Sequence, residues 1–222
     1  MIALLAPFLA LWQLVAGKAR ALAAERELAS VRRARAMLGR GEYGLGSGGR
    51  DPSAPDPFGT YQARAGEDPA RVHRRQLRGR VWCDCSGFVA WCLGIARKLG
   101  AGAWFYTDRI VDDARRQLSF VDLGYRVPVD QARPGDVVAY GSIDRDHDGK
   151  RDKIGHTGLI VSVAARVRSL RDVRVIHCAA SYNPAGGAVR ETSGAPWDRP
   201  DAVVFRPWPG IGHPDRDLAA AA

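Results

Sequence analysis

The sequence predicts an α+β domain with N-terminal helices packed on a central antiparallel sheet. Two observations carry this: helix-like periodicity dominates up to Leu118, and short period-two runs take over after it. A third bounds it: 222 residues with a separable tail at each end leave about one domain.

Taken in order, Met1–Gly17 contains no charged side chain, and Lys18 and Arg20 close the run. A membrane-spanning helix needs about 20 apolar residues, so the run is slightly short. A secretory signal needs an apolar core of about 7–15 residues, and Ala21-Leu22-Ala23 offers a cleavage site, although no Lys or Arg precedes the core. Residues 1–23 are therefore expected to be a signal peptide or a membrane anchor, with a buried N-terminal helix as the alternative. Either of the first two places the domain, residues 24–210, outside the cytoplasm, in the periplasm or cell envelope. An anchor would also tether it to the membrane.

Ala24–Gly39 is rich in good helix formers and breaks at Gly39-Arg40-Gly41. Gly44–Asp56 is rich in glycine and proline and reads as loop. Pro57–Arg80 has no clear period and carries His73-Arg74-Arg75 and Arg78-Gly79-Arg80, so residues 50–80 read as a basic surface insertion. Cys85–Leu99 is the strongest helix. Phe88, Val89, Trp91, Cys92, Ile95, Ala96 and Leu99 form one apolar stripe, and Gly100 ends it. Thr107–Leu118 is a second, polar helix capped by Thr107 or Asp108. Asp136–Tyr140, Thr157–Val163, Val173–Cys178 and Ala202–Phe205 are β-branched runs bounded by turn residues, hence strands. Residues 211–222 read as a frayed tail.

The formal net charge is +9, which favours anionic partners. The basic residues are scattered and no aromatic-interleaved basic stripe appears, so nucleic acid is not expected as a partner. The cysteines are Cys83, Cys85, Cys92 and Cys178. With one needed as a free thiol, they do not make a disulfide scaffold. Cys83 and Cys178 flank the expected site and are candidates to pair. A zinc site on these cysteines and His177 is disfavoured, because Cys-x-Cys is not a zinc knuckle and no second paired motif exists.

The chemistry points to Asp84-Cys85-Ser86-Gly87-Phe88-Val89. Cys85 stands in the first turn of the strong helix, where the positive end of the macrodipole favours a thiolate, the nucleophile of acyl transfer. Ser86 and Gly87 are small enough for a substrate carbonyl to approach, and the amides of Cys85 or Ser86 are candidate oxyanion donors. A base must come from elsewhere. His156 opens one predicted strand and His177 ends the next. Paired as a hairpin, these strands bring both imidazoles to one end of the sheet. One then takes the Cys85 proton and the other fixes its tautomer, as in a triad. A buried structural cysteine is the alternative reading of Cys85.

These motifs resemble those of the NlpC-type cell-wall cysteine peptidases. Asp84–Val89 is similar to their nucleophile motif, and Arg133-Pro134-Gly135-Asp136-Val137-Val138 to the turn that opens their first central strand. Gly155–Val161 is similar to their catalytic His strand, and Ile176-His177 to their third polar position. Leu38–Tyr43 with Gly48-Gly49 resembles the segment whose Tyr lines the site, here Tyr43, although the chain between Tyr43 and Cys85 is longer than in the family. The resemblance implies a papain-like fold, Cys85, His156 and His177 as catalytic residues, and Ser86, Tyr43 and Asp84 at the substrate or oxyanion site. It also implies cleavage of peptide bonds in peptidoglycan stems, often between D-glutamate and a diamino acid. Amidases, acyltransferases and toxin-like effectors of the same fold are alternatives, and a non-catalytic wall-binding module is an alternative of another class. No cofactor is required for the chemistry.

Residues 142–154 read as an insertion before the His strand. Within it Asp144, Asp146, Asp148, Lys150 and Asp152 follow the opening positions of a calcium loop, with the Lys150 carbonyl at the seventh position and Gly149 at the sharp turn. Position twelve is Gly155, where a bidentate Glu usually stands. The reading is a structural calcium site, against a solvated acidic turn.

Overall fold

A computed structural model describes residues 29–98, 105–116, 123–143, 153–180 and 187–208. The apolar segment 1–23, the acidic positions Asp144 to Asp152 and the tail 211–222 lie outside the described residues. No helix among the described residues is long and apolar enough to cross a membrane.

Residues 29–36 form helix α1, within the predicted Ala24–Gly39. Strand β1, Glu42–Tyr43, follows its glycine break and pairs in parallel with β2, Trp82–Cys83. Between these strands the basic insertion holds a helix that periodicity did not reveal, α2, Pro69–Gln76. Its start is written locally: Asp68 caps it by accepting from the Ala70 amide, and Pro69 occupies the first turn. No α2 residue is buried, so it carries no apolar stripe to detect.

Helix α3, Cys85–Cys92, is buried at every position. It is shorter than the predicted Cys85–Leu99. The Gly94 amide bonds the Trp91 carbonyl, the Ile95 amide bonds the Ala90 carbonyl, and Gly94 has φ 71°. That is a Schellman ending, which only a glycine enters without strain. The apolar stripe continues past it as packed, non-helical chain through buried Ile95. Helix α4 spans Thr107–Arg116.

The strands β3 (Gly124–Val127), β4 (Val137–Tyr140), β5 (His156–Val163), β6 (Val173–Cys178), β7 (Val189–Ser193) and β8 (Val203–Pro207) form one sheet. Its order is β3-β8-β4-β5-β6-β7, with every pairing antiparallel. β3 and β7 are edge strands of mixed polarity, which is why their sequences carry little period-two signal. Alternation along β5 separates two cores. Leu159 and Val161 face α3 with Ile176 and Cys178 of β6, whereas Ile160 packs with Val175, Val204 and Trp197 on the other side. This is the expected α+β arrangement of helices on a central antiparallel sheet.

Two local devices set the sheet. Asp136, from the Pro-Gly-Asp turn, receives a bidentate pair from Arg206 (2.8 and 2.9 Å) and the Arg133 amide, tying β4 to β8. Gly158 stands opposite His177, where a Cβ would come within 2.5 Å of the Val175 side chain.

Candidate active site

Asp84 caps α3, so Cys85 is the first helical residue. The Asp84 carboxylate accepts from the Gly87 amide (2.8 Å), the Gly46 amide (2.7 Å), the Ser86 hydroxyl (3.2 Å) and the buried Arg97 guanidinium. Four donors fill the acceptor capacity of a carboxylate. Asp84 is therefore spent on capping the helix and anchoring the 46–48 loop and Arg97. Arg97 also donates to the Ser47 carbonyl at 2.9 Å. No periodicity in the sequence marks Arg97 for this role.

Gly87 is small for a different reason than the one expected. A Cβ there would lie 2.9 Å from the Gly48 carbonyl and 3.0 Å from that of Ser47. The chain's own glycine loop, not substrate, occupies that space.

Cys85 is 3% exposed. Its Sγ lies 3.7 Å from the Thr107 hydroxyl, and the backbone of Thr157, the residue after His156, lies near enough to lower the thiol somewhat. Thr107, expected only as a helix cap, thus stands at the sulfur. Burial first, then the Asp84 carboxylate, push the thiol up to about 12. This corrects the expectation of a thiolate held by the helix dipole: a thiol removed from water beside a carboxylate favours its neutral form. A cavity of about 570 Å³ opens over Cys85, bordered by Ser86, Thr107, Tyr106, Ser142 and Ile154.

The hairpin of β5 and β6 brings the two histidines together, as the strand pattern predicted. His156 Nε2 and His177 Nδ1 are 2.8 Å apart. His177 Nε2 lies 3.3 Å from the Thr192 hydroxyl, which also accepts from Trp197 Nε1–H. The Trp197 ring stacks on His156 at 5.2 Å and meets His177 edge-on. Burial, then Arg190, lower His156 to about 4; burial, His156 and Arg190 lower His177 to about 3. Both rings are neutral at physiological pH. Thr192, Trp197 and Arg190 lie on the edge strand β7 and the turn after it, which the sequence pattern did not mark.

Tyr43 lines a second cleft, and its phenol is close enough to Cys85, Asp84 and Cys178 to feel their charges. Burial, then those charges, raise its pKa. All four cysteines are free and buried, with Cys178 Sγ donating to the Cys83 carbonyl at 3.3 Å. No cluster able to hold a metal occurs among the described residues.

The CHAP domain family matches residues 76–178, a stretch that contains Cys85, His156 and His177. No curated protein matches the chain. Similar solved structures include a cysteine-mutated form of the Resuscitation Promoting Factor Interacting protein RipA, at 16% identity and TM-score 0.48. That alignment covers 85% of this chain, which spans only about 65% of the RipA chain. The P60 domain of an antigen from M. avium subspecies paratuberculosis aligns at 17% identity and TM-score 0.41, over 83% of this chain and 96% of that one. The peptidoglycan hydrolase RipB from Mycobacterium tuberculosis aligns at 19% identity and TM-score 0.41, over 84% and 67%. The CHAP match covers less than half of the chain, and the helix-opening Cys85 and the paired His156 and His177 all lie inside it.

Proposed function

We propose that this protein is an exported thiol hydrolase that cleaves peptide bonds in peptidoglycan stem peptides, with Cys85 as nucleophile, His156 as base and His177 as its orienting partner. The observation that carries the reading is the 2.8 Å contact between His156 Nε2 and His177 Nδ1, with His156 adjoining Thr157, whose backbone lies near the Cys85 thiol.

The hydrogen-bond chain sets the roles. For His156 to accept the thiol proton at Nδ1, its Nε2 must carry hydrogen and donate to His177 Nδ1. His177 then carries hydrogen on Nε2 and donates to Thr192 Oγ1. The resting pair is neutral thiol and neutral imidazole, so the proton moves to His156 as sulfur attacks the amide carbonyl. The S–C bond forms, the carbonyl becomes an oxyanion, and the imidazolium delivers its proton to the departing amine. Water, deprotonated by the same His156, then frees the acyl group. The α3 cap engages the Gly87 amide, leaving those of Cys85 and Ser86 to face the oxyanion.

Residues 1–23 direct export or anchor the chain, and Asp144, Asp146, Asp148, Asp152 and the Lys150 carbonyl bind a structural calcium ion; both parts of the reading rest on the sequence alone. The deciding experiment incubates purified protein with muropeptides, wild type beside Cys85→Ala, and weighs the products. Fragments split within the stem support peptide cleavage. Release of an intact stem from its sugar reassigns the enzyme as an amidase, and activity retained in Cys85→Ala removes the mechanism.

A further inference from the structure

Thr107 and Asp108 are consecutive residues in the first turn of α4, and each reaches a different part of the active site. The Thr107 hydroxyl lies 3.7 Å from Cys85 Sγ. Asp108 reaches the other way. Its Oδ1 accepts from the Ser142 amide at 2.7 Å, and its Oδ2 accepts from the Ser142 hydroxyl at 3.1 Å. The Ser142 oxygen in turn accepts from the Gly155 amide at 3.1 Å, and His156 is the next residue. A chain of hydrogen bonds thus runs from α4 to the start of β5. Adjacent residues of one helix turn hold the sulfur at one end and the strand that carries the base at the other.

These contacts go beyond what a helix start requires. A carboxylate in a first turn is favoured by the macrodipole without any distant partner. Here both oxygens meet one residue 34 positions further along the chain, and bonds to a charged acceptor are stronger than those between neutral groups. Gly155 is shaped for the meeting. A Cβ there would lie 2.6 Å from the Tyr140 carbonyl and 2.8 Å from the Ser142 nitrogen, so only a glycine lets the two segments approach so closely. His156 itself pairs with Tyr140, the last residue of β4. Asp108 therefore clamps the place where β4 ends and β5 begins.

We infer that Asp108 is a positioning residue: acting through Ser142, it fixes the entry of β5 and so where the His156 ring stands relative to the Cys85 sulfur. The inference rests on the proposed roles of Cys85 and His156. A base must come within about 2.6–3.2 Å of the atom whose proton it takes, and a misplacement of about 1 Å can cost a hundredfold in rate. Asp108 takes no proton in this scheme; it holds geometry.

The test uses the full chain. Asp108→Ala removes the anchor. Ser142→Ala removes the relay to Gly155 but leaves the carboxylate on α4, so it reports even where Asp108→Ala fails to fold. Asp108→Asn keeps an acceptor for the Ser142 amide, and Asp112→Ala, at an exposed carboxylate of the same helix, is the control. For each, kcat and KM are measured on a muropeptide, and amide hydrogen exchange at Gly155 is followed by mass spectrometry. Asp108→Ala and Ser142→Ala should each lower kcat about tenfold or more and leave KM within about twofold of wild type. The double variant should lose no more than either single one, because both act along one path. Asp108→Asn should recover most of kcat, and Asp112→Ala should match wild type. Exchange at Gly155 should quicken about fivefold in Ser142→Ala, the effect of one lost hydrogen bond. An unchanged kcat in Ser142→Ala, or additive losses in the double variant, overturns the inference. So does a raised KM with kcat kept, which makes Ser142 a substrate contact instead. Wild-type protein without Cys85-dependent turnover counts against the peptidase reading alone; Gly155 exchange that ignores both Asp108→Ala and Ser142→Ala counts against the clamp whether or not the protein turns over.

Discussion

His156 and His177 face each other ring nitrogen to ring nitrogen across 2.8 Å, with Thr192 and Trp197 closing the far end of the chain. Trp197 can only donate, so one lone pair of the Thr192 oxygen is already committed. The second is left for His177 Nε2–H, the tautomer that lets His156 serve as base. Cys85→Ala and His156→Ala should each abolish turnover. His177→Ala should cost about a hundredfold or more, as loss of an orienting group does. Thr192→Val keeps shape but removes the acceptor, worth about 1 kcal/mol, hence on the order of fivefold in kcat. Steady-state kinetics on a muropeptide check the ranking, and a Thr192→Val loss as large as that of His177→Ala would contradict a purely orienting role.

Arg190 stands opposite His177 in the β6–β7 register and, after burial, is the shared cause that lowers both histidines. A cation beside an imidazole disfavours its protonation. Activity should therefore hold down to about pH 4, where His156 takes up a proton and ceases to be a base. Arg190→Gln should move that acid limb to higher pH. Stability follows the same sign. Between pH 6.5 and about 4 the unfolded histidines bind protons that the folded ones refuse, so stability falls as pH falls through this window. Each site contributes at most about 1.4 kcal/mol per pH unit. Melting curves from pH 7 to 4 read this, and a melting temperature unchanged across that range would be incompatible with buried neutral histidines.

With its thiol pushed up to about 12, Cys85 should alkylate slowly at pH 6 and faster with each step toward alkaline pH. Iodoacetamide labelling, followed by peptide mass mapping, separates Cys85 from the three other buried cysteines. Fast, pH-independent labelling at pH 5–6 would instead reveal a resting thiolate–imidazolium pair.

The helix start at Cys85 and the meeting of His156 with His177 were legible because they needed only local information: a helix start, two strand ends and a hairpin between neighbours. The supports of the site were not. Arg97 reaches Asp84 across an irregular segment after Gly94, and no period in the sequence marks such a contact. Gly94 itself sat inside an unbroken apolar stripe, and the stripe outweighed the glycine in predicting the helix end. Helix α2 buries none of its residues, so its clearest signal was the Asp68-Pro69 start. Thr192 and Trp197 come from an edge strand and a turn, where tertiary pairing decides geometry.

Arg97 is nearly as buried as its partner, with side chains 6% and 2% exposed. Removing one member of such a pair strands the other charge and costs about 3–5 kcal/mol. Arg97→Met should therefore lower stability by that order, measured by urea unfolding. It should also loosen the Gly46–Gly48 loop that Asp84 and Arg97 hold against α3. Asp84→Asn/Arg97→Met removes both charges and should recover part of the loss. A double variant no better than the single one would show that the contacts with the loop carbonyls, not the ion pair, dominate.

The final prediction concerns the acidic insertion. Its two ends are pinned: Ile143 and Lys153 exchange backbone hydrogen bonds at 2.9 and 3.1 Å, and the Gly155 amide donates to the Ser142 hydroxyl. Ser142, Ile154 and Gly155 border the cavity over Cys85, and His156 follows directly. Calcium bound by this segment would therefore act on the entry to β5. Carboxylates at Asp144, Asp146, Asp148 and Asp152 alternate as calcium ligands do, while the glycine at position twelve withholds one ligand. The affinity should resemble that of extracellular modules, about 10⁻⁴–10⁻³ M. Raising calcium through that range should raise the melting temperature by mass action. Asp146→Asn/Asp148→Asn should abolish the rise without altering the melting temperature in chelator. If the wild-type curve ignores millimolar calcium and chelator leaves activity intact, the loop is a solvated acidic turn, and its position beside His156 carries no metal-dependent control.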